Sequence, residues 1–90
     1  MNSAEKKLLR AQAHNLKPVI LIGQSGLTEG VMAEIELALD YHELIKVKIR
    51  AEREERKKIQ NEICARTSAE FIQAIGQIST FYRLNPNKNK

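Results

Sequence analysis

The fold of this 90-residue chain is set first by a short apolar run that lies between a proline and a pair of glycines. Pro18 fixes its own backbone and pushes Lys17 into an extended conformation, so a helix that precedes it must end there. Val19–Ile22 is a continuous apolar segment of strand length, rich in β-branched residues. The segment Gly23-Gln24-Ser25-Gly26 then forms a tight loop. The sequence therefore predicts a buried central strand that runs directly into a glycine loop.

The rest of the chain alternates between helical and strand patterns. Apolar residues recur three and four positions apart before Pro18, and Thr28 is a favourable N-cap for a second amphipathic helix. Two β-prone runs near the end are separated by Gly76 and Gln77, the length of a two-residue hairpin turn. The predicted elements are helices at 4–14, after Thr28 and at 54–68, and strands at 19–22, 44–50, 71–75 and 78–83.

These elements fit one small domain, and the composition, 42% hydrophobic and 29% charged, is typical of a chain that folds. The β-α-β order after Pro18 favours a parallel strand pair with a right-handed crossover, and the terminal hairpin adds an antiparallel pair. We therefore expect a single α/β domain of order α-β-α-β-α-β-β, with three helices and a mixed four-stranded sheet. This domain spans residues 1–84, and we expect the polar residues 85–90 to form a disordered tail.

Charge is distributed unevenly along the chain, although the net charge is only +4. Residues 28–45 contain five acids and no lysine or arginine, whereas residues 46–90 contain eleven bases and five acids. In the second predicted strand, the cations Lys46, Lys48 and Arg50 alternate with apolar residues, so we expect one face of the sheet to be basic and exposed to solvent. The apolar residues that face the core are Ile45, Val47 and Ile49. Such a polarised surface is expected of a protein that meets a polyanion.

The first helix also has a basic face. Lys7, Arg10 and His14 are three and four positions apart, so their side chains share one side of the helix. Lys17 continues the positive charge to the start of the first strand. Two interpretations follow: these residues extend a binding surface, or they only keep an amphipathic helix in solution.

Patterns typical of metal binding and catalysis are missing from the sequence. Cys64, His14 and His42 stand singly, without the spacing of a zinc site. Ser25 follows a strand in Gly-Gln-Ser-Gly, but Leu27 replaces the last glycine of the hydrolase G-x-S-x-G elbow. The Walker and dinucleotide-binding glycine patterns are absent as well. What remains is a G-x-x-G loop between a strand and a helix, whose backbone N–H groups can approach a phosphate.

The residues alone leave three classes of function open. They are a nucleic-acid-binding protein, a protein-interaction module that uses the apolar edge of the sheet, and an enzyme that depends on a nucleotide. A single cysteine and the lack of a membrane span or signal peptide lead us to expect a cytoplasmic protein.

Three stretches of the chain, residues 9–31, 34–39 and 42–48, closely resemble the CRM domain family, named for chloroplast RNA splicing and ribosome maturation. The first reads LRAQAHNLKPVILIGQSGLTEGV and contains the glycine loop; the others read EIELAL and HELIKVK. The resemblance extends from residue 5 to about residue 84 and is strongest to the stand-alone bacterial, YhbY-type members.

The resemblance implies a fold similar to the C-terminal domain of a bacterial translation initiation factor, with an added N-terminal helix. It also implies binding to structured RNA and, in bacteria, association with precursors of the large ribosomal subunit. We therefore expect a monomeric, non-enzymatic protein without metal or cofactor, whose partners are ribosomal RNA and these precursor particles. Family loops often carry a cation between the glycines, whereas Gln24 and Ser25 are neutral, so we expect this loop to act through close backbone approach and hydrogen bonding. The predicted RNA-binding residues are Lys7, Arg10, His14, Lys17, Gly23, Gln24, Ser25, Gly26, Thr28, Lys46, Lys48 and Arg50.

Overall fold

Capping residues and apolar periodicity divide the chain into seven elements. The structure is a computed structural model that describes residues 2–85. The helices are α1 (Ser3–Ala13), α2 (Glu29–His42) and α3 (Arg53–Thr67), and the strands are β1 (Ile20–Ile22), β2 (Leu44–Ile49), β3 (Glu70–Ile75) and β4 (Ile78–Tyr82). Their order confirms the predicted α/β class and the succession of its elements.

Side-chain caps determine where the first two helices begin. At α1, Asn2 Oδ1 accepts a hydrogen bond from the Glu5 N–H at 2.8 Å, and the Glu5 carboxylate accepts one from the Asn2 N–H in return. At α2, Thr28 Oγ1 accepts from the Val31 N–H at 3.1 Å, which confirms Thr28 as the N-cap. The third helix ends at Ser68, whose left-handed backbone (φ 62°) reverses the chain into β3.

The four strands form one mixed sheet in the order β1-β2-β4-β3. The β1–β2 pair is parallel, as expected for a β-α-β unit, and the other two pairs are antiparallel. The prediction that the first strand is central was wrong, because the terminal hairpin adds to the far side of β2 and leaves β1 at the edge. Only one face of β1 is covered: Ile20 and Ile22 are buried, whereas Leu21 is 54% exposed.

The main core lies between the sheet and the two helices α2 and α3. Ile45, Val47 and Ile49 of β2 all point into it, which confirms the alternation predicted for that strand. The opposite face of the sheet carries a smaller cluster, in which Ala13 of α1 packs with Leu44 and Ile72. Helix α1 therefore covers one end of the sheet face that α2 and α3 leave free.

Ion pairs and hydrogen bonds attach the acidic helix α2 to the rest of the domain. Arg66 Nη2 of α3 donates to both carboxylate oxygens of Glu29 of α2, at 2.7 and 3.0 Å. Asn85, where the predicted tail begins, donates from its backbone N–H to Glu43 at 2.8 Å and from its side chain to the Asp40 carbonyl at 2.7 Å. Residues 86–90, the rest of the predicted tail, lie outside the described residues.

Candidate nucleic-acid interface

The glycine loop is a tight turn whose backbone is open to solvent. The Gly26 N–H donates to the Gly23 carbonyl at 3.1 Å, and Gly26 has a φ of +73°, which favours glycine. A side-chain carbon added at either glycine would meet no atom within 4 Å. Gln24 and Ser25, between them, are exposed. A ligand can therefore approach this backbone closely from outside the domain.

Arg50 stands beside this loop, directly after the end of β2. Its backbone N–H donates to the Ile22 carbonyl at 3.0 Å, which ties the chain after β2 to the last residue of β1. Arg50 and Gln77 line the same surface depression as Gly23 and Gln24. The glycine loop, an exposed guanidinium and the hairpin turn thus meet at one end of the sheet.

A row of side chains crosses all four strands near this end of the sheet. Strand register places Leu21 next to Lys48, Lys48 opposite Ile78, and Ile78 opposite Ile75. These four residues, the open row, lie on the sheet face that carries α1, at the end that α1 does not cover. Lys48 is half-buried within the row, while Leu21 and Ile75 are 54% and 70% exposed.

Lys46 lies on the same face, one row closer to α1. Its Nζ donates to the Leu16 carbonyl at 3.1 Å, so it secures the connection between α1 and β1. The sequence prediction gave this residue only a binding role. The structure shows that it is also a structural contact.

The four predicted residues of the first helix and its connection, Lys7, Arg10, His14 and Lys17, are exposed. Within residues 2–85 their side chains form no hydrogen bond or ion pair. They belong to the opposite end of the sheet from the glycine loop. The predicted residues therefore do not converge on one pocket: one group surrounds the loop, a second lies along α1, and Lys46 lies between them.

Thr28 is the predicted residue whose structural role is clearest. Its hydroxyl oxygen accepts the cap bond of α2, and its own backbone N–H donates to the Gly26 carbonyl at 3.1 Å. Thr28 therefore connects the glycine loop to the N-terminus of α2. Any contact of Thr28 with a ligand remains a prediction.

A basic groove beside α3 was not predicted from the sequence. Arg53, Arg56 and Lys57 line it at spacings of three and four, together with Gly76 of the hairpin turn. Counting charges by helix face, as for α1, would have identified these cations. The glutamates that stand among these cations in the sequence obscured the basic face, because mixed charge is typical of an ordinary solvent-exposed helix.

Two titratable side chains, Cys64 and Arg66, have shifted pKa values that follow from their packing and pairing. Burial, and then the nearby Glu70 carboxylate, raise the pKa of the Cys64 thiol, which favours its protonated form. The hydrogen bond with Glu29 is the main cause that raises the pKa of Arg66. Among residues 2–85, no three His, Cys, Asp or Glu side chains come together as metal ligands. No helix in this range is long and apolar enough to cross a membrane.

Comparison with known proteins links this arrangement to one family. The sequence model of the CRS1/YhbY (CRM) domain matches residues 1–83. A Pseudomonas aeruginosa protein named "Probable RNA-binding protein" is 45% identical over 91 residues, covering 100% of this chain and 88% of its own length. A Haemophilus influenzae protein named "RNA-binding protein" is 49% identical over 84 residues, covering 92% of this chain and 85% of its own length.

The fold is also similar to a solved structure. The solution structure of a hypothetical protein from Staphylococcus aureus superposes with a TM-score of 0.85 at 29% sequence identity. The superposition covers 98% of this chain and 93% of the other. The same arrangement of helices and strands therefore occurs in a second protein.

Proposed function

This chain belongs to the CRS1/YhbY (CRM) domain family, and from that premise we propose that it is a non-enzymatic protein that binds structured ribosomal RNA. We propose further that it assists assembly of the large ribosomal subunit in the cytoplasm. The names of its relatives support RNA as the ligand. The assignment to the large subunit rests on the resemblance of its sequence to the stand-alone bacterial members of the family.

The observation that carries the proposal is the combination of an open glycine backbone with cations at one end of the sheet. RNA modules of this type hold the sugar-phosphate backbone against a glycine loop, because a loop without side chains lets the phosphates come close. Here Arg50 lies beside the loop and Lys48 lies one position behind the end of β2. Their charges complement phosphates that approach Gly23 and Gly26.

The second basic group, on α1, favours a folded RNA over a free nucleotide. The Leu44–Tyr82 pair, where α1 packs, and the Lys48–Ile78 pair of the open row are four residues apart along β2. At the rise of an extended strand this is about 13 Å. A ligand that reaches both basic groups must therefore present phosphates over that span, as a structured RNA does.

Replacing Gly23 with aspartate tests the glycine loop. The space around Gly23 is open and its φ is not positive, so Gly23→Asp adds a negative charge without backbone strain. We expect affinity for ribosomal RNA to fall by about tenfold in filter binding, while circular dichroism stays unchanged. Gly26→Asp is a poorer test, because its φ of +73° would also cost stability.

The matched control is Ala33→Asp, which places the same charge on an exposed position of α2. It should bind ribosomal RNA like the parent. Equal affinities of Gly23→Asp, Ala33→Asp and the parent would remove the glycine loop from the interface. Sedimentation of a cell lysate tests the proposed target, since the protein should travel with precursors of the large subunit.

A protein-interaction module is the second candidate, and the open row is the observation that favours it. Leu21 and Ile75 expose apolar surface at the two edge strands. The affinity for a protein partner held by such contacts would depend little on salt concentration. The affinity for RNA held by phosphate contacts would fall steeply as salt concentration rises. Titrating binding against salt concentration separates the two candidates.

A further inference from the structure

A second basic groove lies between α3 and the β3–β4 hairpin. Its volume is about 400 Å³, within the range of roughly 300–1,000 Å³ found for small-ligand sites. Arg53, Arg56 and Lys57 line it from α3, and Phe71 and Gly76 line it from the hairpin. None of the glutamates of α3 is among its lining residues. The groove is therefore positively charged although the helix as a whole carries both signs.

Two lining residues hold the groove in shape. Arg56 Nη1 donates to the Ala51 carbonyl at 2.7 Å, which fixes the connection between β2 and α3. Gln60 Nε2 donates to Ser79 Oγ at 2.9 Å, which fixes α3 against β4. Because both partners are on other segments, the position of α3 relative to the sheet is set before any ligand arrives.

Arg53 and Lys57 have a different role from these two residues. Both are exposed, one helical turn apart, and within residues 2–85 their side chains have no hydrogen-bond or ion-pair partner. Their charges are therefore available to a ligand in the groove. A guanidinium and an ammonium at this spacing suit the oxygens of a phosphate group.

Phe71 supplies an aromatic surface in the same groove. Its ring packs against Phe81 on the core side, with ring centroids 5.9 Å apart and planes tilted by 60°. It is only half-buried, because β3 is an edge strand and no further strand covers it. An aromatic ring beside exposed cations is the combination that binds an unpaired base and its phosphate.

The hairpin turn joins this groove to the glycine loop. Gly76 lines the groove, and the next residue, Gln77, lines the depression that contains Gly23 and Arg50. The Gln77 carbonyl also accepts a hydrogen bond from the Ile49 N–H at 2.7 Å, which holds the turn against the end of β2. A nucleic-acid strand leaving the loop would pass over this turn into the groove.

We infer that the α3 groove is a second RNA subsite, which takes an unpaired nucleotide adjacent to the segment bound by the glycine loop. Arg53 and Lys57 contact its phosphate, and Phe71 stacks on its base. The inference rests on the proposed function, since it assumes an RNA at the loop. The RNA bound at the loop should therefore contain a single-stranded extension or a bulge next to its structured part.

The neighbouring lysines 57 and 58 provide the test. Lys57 lines the groove and Lys58, also exposed, does not, so Lys57→Gln and Lys58→Gln remove the same charge from the same helix. Affinity for ribosomal RNA is measured by filter binding at several salt concentrations. The slope of log affinity against log salt is negative, and we expect Lys57→Gln to reduce its magnitude by about one, while Lys58→Gln leaves it at the parent value.

The aromatic contact is tested with Phe71→Leu and Phe71→Tyr. Loss of base stacking should lower the affinity of Phe71→Leu for ribosomal RNA by at least fivefold, roughly. Phe71→Tyr keeps an aromatic ring and should bind like the parent. Thermal unfolding is compared in parallel, because Phe71 also packs against Phe81. If Phe71→Leu is too unstable to compare, amide NMR shifts of the parent with a short single-stranded RNA replace it, and these should change at Lys57, Phe71 and Gly76.

The outcomes separate the two proposals. If the parent fails to bind ribosomal RNA, the proposed function itself is wrong. If the parent binds, but Lys57→Gln behaves like Lys58→Gln, the α3 groove is not a subsite and the proposed function stands. NMR shifts that change only at the glycine loop would likewise overturn the inference.

Discussion

A single guanidinium, that of Arg83, joins three elements of the fold. Arg83 follows β4, and its Nη1 donates to the Glu36 carboxylate at 3.1 Å and to the Thr67 carbonyl at 2.9 Å. Its Nη2 donates to Asp40 at 2.8 Å. The side chain is only 18% exposed, so its charge is well paired and partly shielded from water. This arginine therefore belongs to the scaffold and not to the basic surface.

Replacing Arg83 with alanine should destabilise the domain. The loss of charge-assisted hydrogen bonds costs about 2 kcal/mol, which for a domain of this size lowers Tm by roughly 10 °C. Arg10→Ala is the control, because Arg10 is exposed and has no side-chain partner within residues 2–85. Thermal unfolding followed by circular dichroism measures both, and equal midpoints would contradict the role assigned to Arg83.

At the scale of elements, α1 and β1 determine which parts of the sheet face remain free. Helix α1 packs through Ala13 on Leu44 and Ile72, at the end of the sheet away from the glycine loop. Its basic side chains point outward from that contact and are exposed. Because the helix covers only this end, the open row and the loop remain accessible at the other.

The two interpretations of the basic face of α1 lead to different results. If α1 binds RNA, Lys7→Ala with Arg10→Ala should lower affinity and flatten the salt slope by about one for each phosphate that the helix no longer binds. Ribosomal RNA binding at two salt concentrations measures this, with Lys58→Ala as a control for the removal of a surface charge. Parent-like affinity at both would show that α1 is scaffold only.

Local sequence patterns were sufficient to predict the elements and the burial of β2. The alternation of Ile45, Val47 and Ile49 with cations allows only one strand register, because a register shift of one residue would turn the lysines into the core. The position of β1 was mispredicted for a physical reason: an apolar run of this length is compatible with a central strand or with an edge strand. Which one forms depends on where the distant hairpin pairs, and the run itself does not contain that information.

The candidate site was predictable where one short segment determines it. The glycine loop and its neighbour Arg50 lie at the ends of two parallel strands, and β-α-β order brings such ends together. The α3 groove depends on packing between a helix and a hairpin, so no local pattern reveals it. The hydrogen bond of Lys46 to Leu16 is equally non-local, as the two residues are 30 positions apart.

Over the whole molecule, the basic residues divide into paired and unpaired groups. Arg66 and Arg83 neutralise acids of α2, whereas Lys7, Arg10, Arg53 and Lys57 have no side-chain partner within the described chain. The modest net charge of +4 therefore understates the charge that a ligand meets. These four unpaired cations lie on α1 and on the groove side of α3.

This distribution predicts a strong dependence of RNA binding on salt. With three to five phosphate contacts, log affinity should fall against log salt with a slope of roughly −2 to −4. Titration of labelled ribosomal RNA between about 50 and 200 mM salt measures the slope. A slope near zero would favour the protein-interaction module.

The edge position of β1 also bears on how the domain folds and opens. Only three residues of β1 pair with β2, and the first of these pairs, Ile20 with Val47, joins positions 27 residues apart. The β3–β4 hairpin closes locally, so it can form early, whereas β1 has to wait for a long loop to close. We expect native-state hydrogen exchange to be faster for the amides of β1 than for those of β4. The glycine loop would then follow the strand whose pairing breaks most readily. Its backbone could adapt to an RNA while the other strands stay paired.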